Sequence, residues 1–287
     1  SEDDEAARKF AQILETENQN RKLIDEKTFI QAQVVAEASL EAESNHPLIL
    51  HQDDWHPGVI GIVASRLVEK FYRPTILLTT IDGVAKGSAR SILNFNIYEA
   101  LKRCEDMLIQ FGGHKYAAGL AIEISKIPAF KEKFIRIAEE MLSEDMLIHE
   151  IVADAHLRLA DITPRFIRIL KQLAPFGPGN NRPVFFANEV EVFGEPRIVG
   201  RDHLKLKLRQ EGVVFDAIGF NLGQQMAQIA SAGARVDMLF TVEENTWNGS
   251  VFPQLKLRDL RSSGDTRTRD EVFLRMETTK TNSLSHT

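Results

Sequence analysis

The sequence is poor in cysteine and in long apolar runs, and these absences exclude several classes of protein. One cysteine among 287 residues, Cys104, rules out an internal disulfide and fits a reducing cytoplasm. It lies in the helical pattern ALKRCEDML, where a buried and unreactive thiol is the usual outcome, so we predict no cysteine nucleophile. No apolar run reaches the roughly 18 residues of a membrane span, and the acidic start is not that of a signal peptide.

The chain also lacks a strongly basic region. Its net charge is −6, with −8 over residues 1–150 and +1 over residues 151–260. Bulk charge therefore does not indicate binding to polyanions, and any contact with nucleic acid must use a local groove. With 43% hydrophobic and 26% charged residues, the composition is that of a soluble globular protein, and the length predicts about two domains.

Common catalytic and metal-binding motifs are absent as well. There is no P-loop, no Gly-x-Gly-x-x-Gly after a strand, no Gly-x-Ser-x-Gly and no kinase signature. Four side chains superficially resemble a metal cluster, namely His51, Asp53, Asp54 and His56. Their spacing matches no known metal motif, so the sequence predicts no metal site.

The first 150 residues alternate between predicted helices and strands. One long polar helix, or two in tandem, is predicted over 3–42. Strands follow at 48–50, 75–78, 84–89 and 120–124, and helices at 58–71, 96–109 and 128–142. The alternation predicts a compact α/β domain. The first helix is polar enough to connect two domains. The acidic helical start, with no core element before it, is what we expect of the rear portion of a longer protein, although a processed or tagged chain would start in the same way.

After residue 150 the apolar period becomes two. Thr163 and Pro164 predict the start of a short helix, and the rigid loop PFGPGNNRPVF follows it. Three predicted strands, one helix in LGQQMAQIA and two further strands give the element order of an OB-fold barrel. Such barrels bind single-stranded nucleic acid or oligosaccharide, although small barrels also serve as spacers. Residues 261–287 are predicted to form a polar tail.

The stretch FGGHKYAAGL at 111–120 places two glycines directly before a histidine. Glycine lets the backbone approach a ligand closely, and successive backbone N–H groups beside His114 can form a cradle for phosphate. A glycine turn that joins a helix to a strand is the alternative interpretation of Gly112 and Gly113.

The stretch GSARS at 87–91 offers two hydroxyls and a guanidinium at a predicted strand end. Ser88 and Arg90 share one face of an extended chain, which suits the binding of a terminal phosphate. An ordinary exposed strand end is the competing interpretation.

A third candidate surface lies on a predicted strand of the barrel. HLKLKLR places three leucines on one side and four basic candidates on the other, namely His203, Lys205, Lys207 and Arg209. A basic face of this kind can follow a nucleic-acid backbone, or it can simply be a solvated outer face.

Four segments of the sequence resemble, in their order along the chain, the C-terminal half of proteins of the RecJ family. These proteins are single-strand-specific DNA exonucleases of the DHH phosphoesterase superfamily. They are WHPGVIGIVASRL, KGSARSI, FGGHKYAAGL and PFGPGNNRPVF, followed by the barrel strands. The resemblance covers residues 1 to about 260. It implies a connector helix over 1–45, a DHHA1 domain over 46–150 and an OB domain over 151–260.

The same resemblance implies roles for single residues. Ser88 and Arg90 match positions that grip the 5′ phosphate of the DNA strand. The remaining matches are Gly112, Gly113 and His114, in the motif that contacts the substrate, and His56, in a tryptophan–histidine motif. Of these, His114 is the expected catalytic contact.

The resemblance also implies what this chain does not carry. The DHH motif is absent, and in the family it helps to hold two Mn²⁺ or Mg²⁺ ions. We therefore expect this chain alone to be inactive and to bind no cofactor, although the full-length protein would be a hydrolase of DNA repair and recombination.

The expected partner is single-stranded DNA, with a single-strand-binding protein or a helicase as candidate protein partners. Two alternatives stay open. One is a non-catalytic nucleic-acid-binding module, and the other is a DHH-type phosphodiesterase acting on cyclic dinucleotides or short oligonucleotides.

Overall fold

The computed structural model describes residues 2–42, 46–148, 150–177, 179–200, 202–229, 233–247 and 249–263. They fold as two compact units, Ser1–His149 and Glu150–Thr287. Within these ranges no helix is both long enough and apolar enough to cross a membrane. The predicted polar tail lies outside the described residues from position 264 onward.

The first unit is built on a five-stranded mixed sheet. In chain order its elements are α1 (Glu2–Ala42), β1 (Leu48–His51), α2 (Ile60–Phe71), β2 (Thr75–Ile81), β3 (Val84–Arg90), α3 (Ile97–Lys102), β4 (Leu108–His114), β5 (Ala117–Glu123) and α4 (Ile127–Met141). The strand order is β1-β2-β3-β5-β4. Only β1 and β2 pair in parallel, and the other neighbours are antiparallel.

The alternation of side chains along β2 divides the core of this unit into two layers. Leu77 packs with residues of α1 and α2, including the fully buried Leu67. Ile76 and Leu78 point to the opposite face and pack with residues of α3 and α4. Each fully buried leucine or isoleucine contributes about 1.5–3 kcal/mol. The sheet is therefore held by helices on both faces, and α2 lies over β2 and β3.

The helix predicted over 96–109 is shorter than expected. Asn96 caps its start by accepting a hydrogen bond from the Glu99 backbone N–H, and α3 ends at Lys102. A single 3₁₀ turn, Glu105–Met107, then leads into β4. The prediction was wrong because the apolar run MLIQF is compatible with either structure, and pairing with β5 selects the strand.

The second unit is a closed barrel of five strands. Its elements are β6 (Ala155–His156), α5 (Pro164–Gln172), β7 (Phe185–Val199), β8 (His203–Gln210), β9 (Val213–Gly219), β10 (Arg235–Trp247) and β11 (Ser250–Ser262). Neighbours run β7-β8-β9-β11-β10, and β10 pairs back onto β7. This confirms the predicted OB fold.

Two local predictions in this unit have different outcomes. Thr163 caps α5 through its side chain, which accepts from the Phe166 N–H at 3.2 Å, and Pro164 is the first helical residue, as expected. The α-helix predicted in LGQQMAQIA is instead a 3₁₀ helix, Gly223–Gln228. It lies between the third and fourth barrel strands, where the sequence placed it.

Candidate nucleic-acid interface

One face of the first unit's sheet brings two of the predicted motifs together. Directly paired residues form two rows across β3, β5 and β4, one of Ser88, Gly119 and Gly112 and one of Arg90, Ala117 and His114. Residues directly opposite each other point to the same face of a sheet. Arg90 and His114 are two strand spacings apart, a distance of about 10 Å.

Small residues leave part of this face open. Helix α2 contacts β2 and β3, whereas Gly112 and Gly119 are exposed and carry no side chain. Ala117, in the neighbouring row, adds only a methyl group. A strand of nucleic acid or another ligand can therefore lie against the backbone of β4 and β5. The contribution of KYAAGL to this floor could not be predicted from the sequence, because it depends on strand register.

Arg90 is held at the covered edge of this floor. Its Nη1 donates to the Ser88 hydroxyl at 2.9 Å and to the Ala89 carbonyl at 2.8 Å, and its Nε donates to the Ser65 hydroxyl on α2 at 3.2 Å. Burial lowers the pKa of the Arg90 guanidinium below its usual value. The group remains a cation at neutral pH, since arginine does not deprotonate in proteins.

The cleft beside Arg90 has the character of an anion site. This open cleft has a volume of about 500 Å³ and is lined mainly by the start of α2 and by β3. Its lining includes three isoleucines together with Gly58, Gly61, Ser65, Lys86, Ser88 and Arg90. No carboxylate is among the described lining residues. The N-terminus of a helix, two cationic side chains and the Ser88 hydroxyl together favour a phosphate group.

The glycines of the GGH stretch lie in a strand and not in a separate turn or cradle. Gly112 and Gly113 belong to β4, paired with Gly119 and Ala118 of β5. A Cβ atom on Gly113 would lie 2.3 Å from the Ala117 carbonyl oxygen, and its φ of 150° is one that L residues rarely adopt. A Cβ atom on Gly112 would meet nothing within 4 Å. Gly113 is therefore required by the hairpin, whereas Gly112 keeps the surface open.

We expect Gly113→Ala to destabilise the first unit by about 2 kcal/mol or more, because it adds both a clash and backbone strain. Gly112→Ala is the matched control and should change stability by no more than about 0.5 kcal/mol, the usual range for open surface positions. The measurement is urea unfolding in a Trp247→Phe background, where Trp55 reports on the first unit alone. Equal effects of the two substitutions would contradict this assignment.

Two of the predicted histidines share one local arrangement. The Nδ1 of His114 accepts from the Tyr116 N–H at 3.3 Å, and the Nδ1 of His56 accepts from the Gly58 N–H at 3.0 Å. A neutral imidazole that accepts at Nδ1 carries its proton on Nε2. Both side chains are exposed, so each presents an Nε2–H donor at the surface of the unit.

The alternation predicted for β8 is present in the barrel. Leu204, Leu206 and Leu208 are buried. On the outer face, the register places one row across four strands, Arg197, Lys205, Ile218 and Lys256. Two of these cations, Arg197 and Lys256, were not among the predicted residues, because they come from other strands.

An exposed aromatic ring lies next to this row. Phe220 is 46% exposed, the His203 ring meets it edge-on at 4.9 Å, and Lys256 Nζ lies 5.2 Å from its centre. Lys256 also lies 3.8 Å from Glu243. We call Arg197, Lys205, Lys256 and Phe220 the β8 strip. Cations beside an exposed ring are the usual components of a single-strand binding surface.

The other end of β8 is less suited to binding an anion. Arg209 makes a two-bond ion pair with Glu191, with Nε donating at 2.9 Å, and its guanidinium stacks on Phe193. This pairing raises the pKa of Arg209 and lowers that of Glu191. Lys207 lies opposite Asp216 in the register. The predicted basic face is therefore concentrated at the His203 and Lys205 end.

The residues described here do not fit a bound Mn²⁺ or Mg²⁺ ion. Within the described ranges, no group of three or more His, Cys, Asp or Glu side chains comes close enough to hold a metal. His51 and Asp53 approach to 3.4 Å, and both contact the Thr80 hydroxyl. One imidazole and one carboxylate are fewer ligands than such an ion usually takes from a protein site. We therefore assign no metal-dependent step to these residues.

Comparison with known proteins gives two family matches. The DHHA1 domain matches residues 31–140, and the RecJ OB domain matches residues 153–259. The single-stranded-DNA-specific exonuclease RecJ of Bacillus subtilis (strain 168) is 34% identical over 259 residues, which cover 89% of this chain and 32% of that protein. RecJ of Escherichia coli (strain K12) is 33% identical over 87% of this chain and 44% of its own length.

A solved structure agrees with these matches. RecJ from Thermus thermophilus, crystallised in complex with Mn²⁺, aligns with a TM-score of 0.67 at 30% sequence identity. The alignment covers 85% of this chain and 34% of that one. The chain thus spans less than half the length of the relatives named here.

Proposed function

The chain belongs to the RecJ family, and from that premise we propose that it is the DNA-holding part of a 5′-to-3′ single-stranded-DNA exonuclease. In this proposal a DHH domain carries the Mn²⁺ or Mg²⁺ ions that supply the attacking hydroxide. The enzyme would act in the cytoplasm in DNA repair and recombination, and this chain alone would be inactive. The observation that carries the proposal is the cleft in which Arg90 and Ser88 meet the start of α2.

Each part of the first unit has a role in this proposal. Arg90 and Ser88 bind the 5′-terminal phosphate, which carries more negative charge than an internal diester. The backbone of Gly112 and Gly119 provides the floor on which the next nucleotides lie. His114 donates from Nε2 to the scissile phosphate, and His56 donates to a neighbouring phosphate at the rim of the cleft.

The direct test of this proposal is the reading frame upstream of residue 1 in the gene. A DHH motif with its accompanying aspartates and histidines would support an exonuclease whose metal site lies in that part. A frame that begins here, or that encodes an unrelated domain, would favour a non-catalytic nucleic-acid-binding module. In that outcome the exonuclease assignment is wrong, although the phosphate cleft can still bind DNA ends.

We propose that the barrel binds single-stranded DNA through the β8 strip. Its contacts with phosphates and its stacking on a base should affect the affinity and its salt dependence differently. Arg197→Ala combined with Lys205→Ala should make the slope of log K against log salt concentration shallower by about 1.4. Each phosphate contact on a single strand contributes about 0.7 to this slope. Phe220→Ala should weaken binding by about 1–3 kcal/mol through lost base stacking and leave the slope unchanged. The measurement is fluorescence anisotropy with oligothymidine at several salt concentrations.

A control with the same change in charge separates specific contacts from bulk charge. Lys22 and Lys27 are exposed on α1, and Lys22→Ala with Lys27→Ala should leave the slope near its original value. If the control pair and the strip pair lower the slope equally, the β8 strip is not the binding surface.

A further inference from the structure

We infer that Gly61 and Ser65, two residues of α2, position Arg90 so that it recognises a terminal phosphate. The inference rests on the proposed function, because it assumes that the cleft binds such a phosphate. Neither residue is expected to contact the DNA. They act on Arg90, from one turn of the helix that covers β3.

Ser65 sets the orientation of the guanidinium. Its hydroxyl donates to the Gly61 carbonyl at 3.2 Å and accepts from Arg90 Nε at 3.2 Å. The Ser88 hydroxyl accepts from Arg90 Nη1 on the other side. Two hydroxyl acceptors, one from the helix and one from the strand, thus hold one planar group at two of its nitrogens.

This arrangement leaves specific donors for a ligand. Among the described residues, none accepts a hydrogen bond from Arg90 Nη2. The Ser88 hydroxyl accepts from Arg90, and within the described part of the chain no group accepts its hydrogen, which can therefore be donated to a ligand. Phosphate oxygens can therefore take bonds from Arg90 Nη2 and from Ser88, which lie on the same wall of the cleft.

Gly61 provides the room for this arrangement. A Cβ atom at position 61 would lie 2.8 Å from Arg90 Nη2 and 3.0 Å from the Ser88 Oγ. The backbone of Gly61 has ordinary helical dihedrals, so the absence of a side chain is not needed for the helix itself. Alanine is in fact the better helix former by about 1 kcal/mol. The glycine is explained by the close approach of Arg90.

These contacts predict that phosphate recognition and stability respond differently to substitution. Gly61→Ala should displace the guanidinium, which is a flexible side chain, without unfolding the helix. The preference of the chain for 5′-phosphorylated over 5′-hydroxyl oligothymidine should fall about tenfold, corresponding to the loss of one charge-assisted bond. The melting temperature should stay the same or rise.

Ser65→Ala should lower the same preference for the 5′-phosphorylated strand about threefold, because the guanidinium loses one of its two hydroxyl acceptors. Ser65→Thr keeps the hydroxyl and should retain most of the preference.

The experiment measures both dissociation constants for the whole 287-residue chain, with a 3′-labelled oligonucleotide that differs only at its 5′ end. Ser91→Ala is the matched control, because the Ser91 hydroxyl donates to the Phe95 carbonyl and not to Arg90. It should leave the preference unchanged.

The outcomes separate the inference from the function on which it rests. If the unsubstituted chain shows no preference for the phosphorylated end, the proposed end recognition is wrong and the inference fails with it. If Arg90→Ala removes a preference that Gly61→Ala and Ser65→Ala both retain, only the positioning role is wrong. A lower melting temperature for Gly61→Ala with the preference intact would make the glycine purely structural and would also overturn the inference.

Discussion

Arg90→Ala should remove the preference of this chain for 5′-phosphorylated strands and leave its affinity for 5′-hydroxyl strands almost unchanged. A guanidinium can bind a phosphate through two parallel hydrogen bonds, and a terminal phosphate carries more charge than an internal diester. Hydrogen bonds to charged groups contribute about 1.5–3 kcal/mol. The expected loss of affinity for the phosphorylated strand is therefore about 10- to 150-fold.

The measurement is the pair of dissociation constants for two oligonucleotides that differ only at the 5′ end. Arg90→Lys should keep part of the affinity through its charge but lose the two-bond geometry. Arg103→Ala is a suitable control, because Arg103 directly follows α3, is exposed and pairs with Glu140. Equal weakening on both strands would mean that Arg90 holds the backbone generally and does not recognise the end.

Local patterns were sufficient to predict much of the architecture. The period-two stretches predicted the barrel strands because their alternating leucines must enter a core, and Leu204, Leu206 and Leu208 do so. Thr163 and Pro164 predicted the start of α5 because capping depends only on neighbouring residues. These features are local, and the sequence alone determines them.

Features that depend on distant residues could not be predicted in the same way. The first three residues of MLIQF were assigned to a helix because nothing nearby indicates that β5 pairs with this segment. The pairing of Arg209 with Glu191 and the addition of Arg197 to the outer row both follow from the register of β7 against β8. A single sequence contains no direct signal for that register.

The candidate site shows the same division. Ser88 and Arg90 were chosen because residues two apart in a strand share a face, and their side chains are hydrogen-bonded to each other. The contribution of Ser65 and Gly61 was missed, since it arises where α2 crosses β3. Two glycines one turn apart at the start of a helix, as in GVIG, allow tight packing on a sheet or the binding of an anion there. In the structure the close packing is that of Arg90 against Gly61, beside the first turn of α2.

The second large effect is expected at His114. In the complete exonuclease proposed above, His114→Ala should lower turnover about a hundredfold, since one well-placed donor to developing charge is commonly worth about 3 kcal/mol. The Nδ1 of His114 is engaged by the Tyr116 N–H, which directs Nε2 outward as the donor. Stability should change by no more than about 1 kcal/mol, because the side chain is exposed and makes one hydrogen bond.

A matched histidine distinguishes catalysis from structure. His156 is exposed in the second unit and bonds to Asn188 at 2.9 Å, so His156→Ala removes a comparable contact without touching β4 or β5. It should leave turnover unchanged. His114→Gln, which keeps a neutral donor, should recover part of the lost rate, whereas a purely structural role would lower the melting temperature and the rate together in His114→Ala. Turnover that survives His114→Ala would remove this histidine from the reaction and leave Gly113 as the reason for the motif.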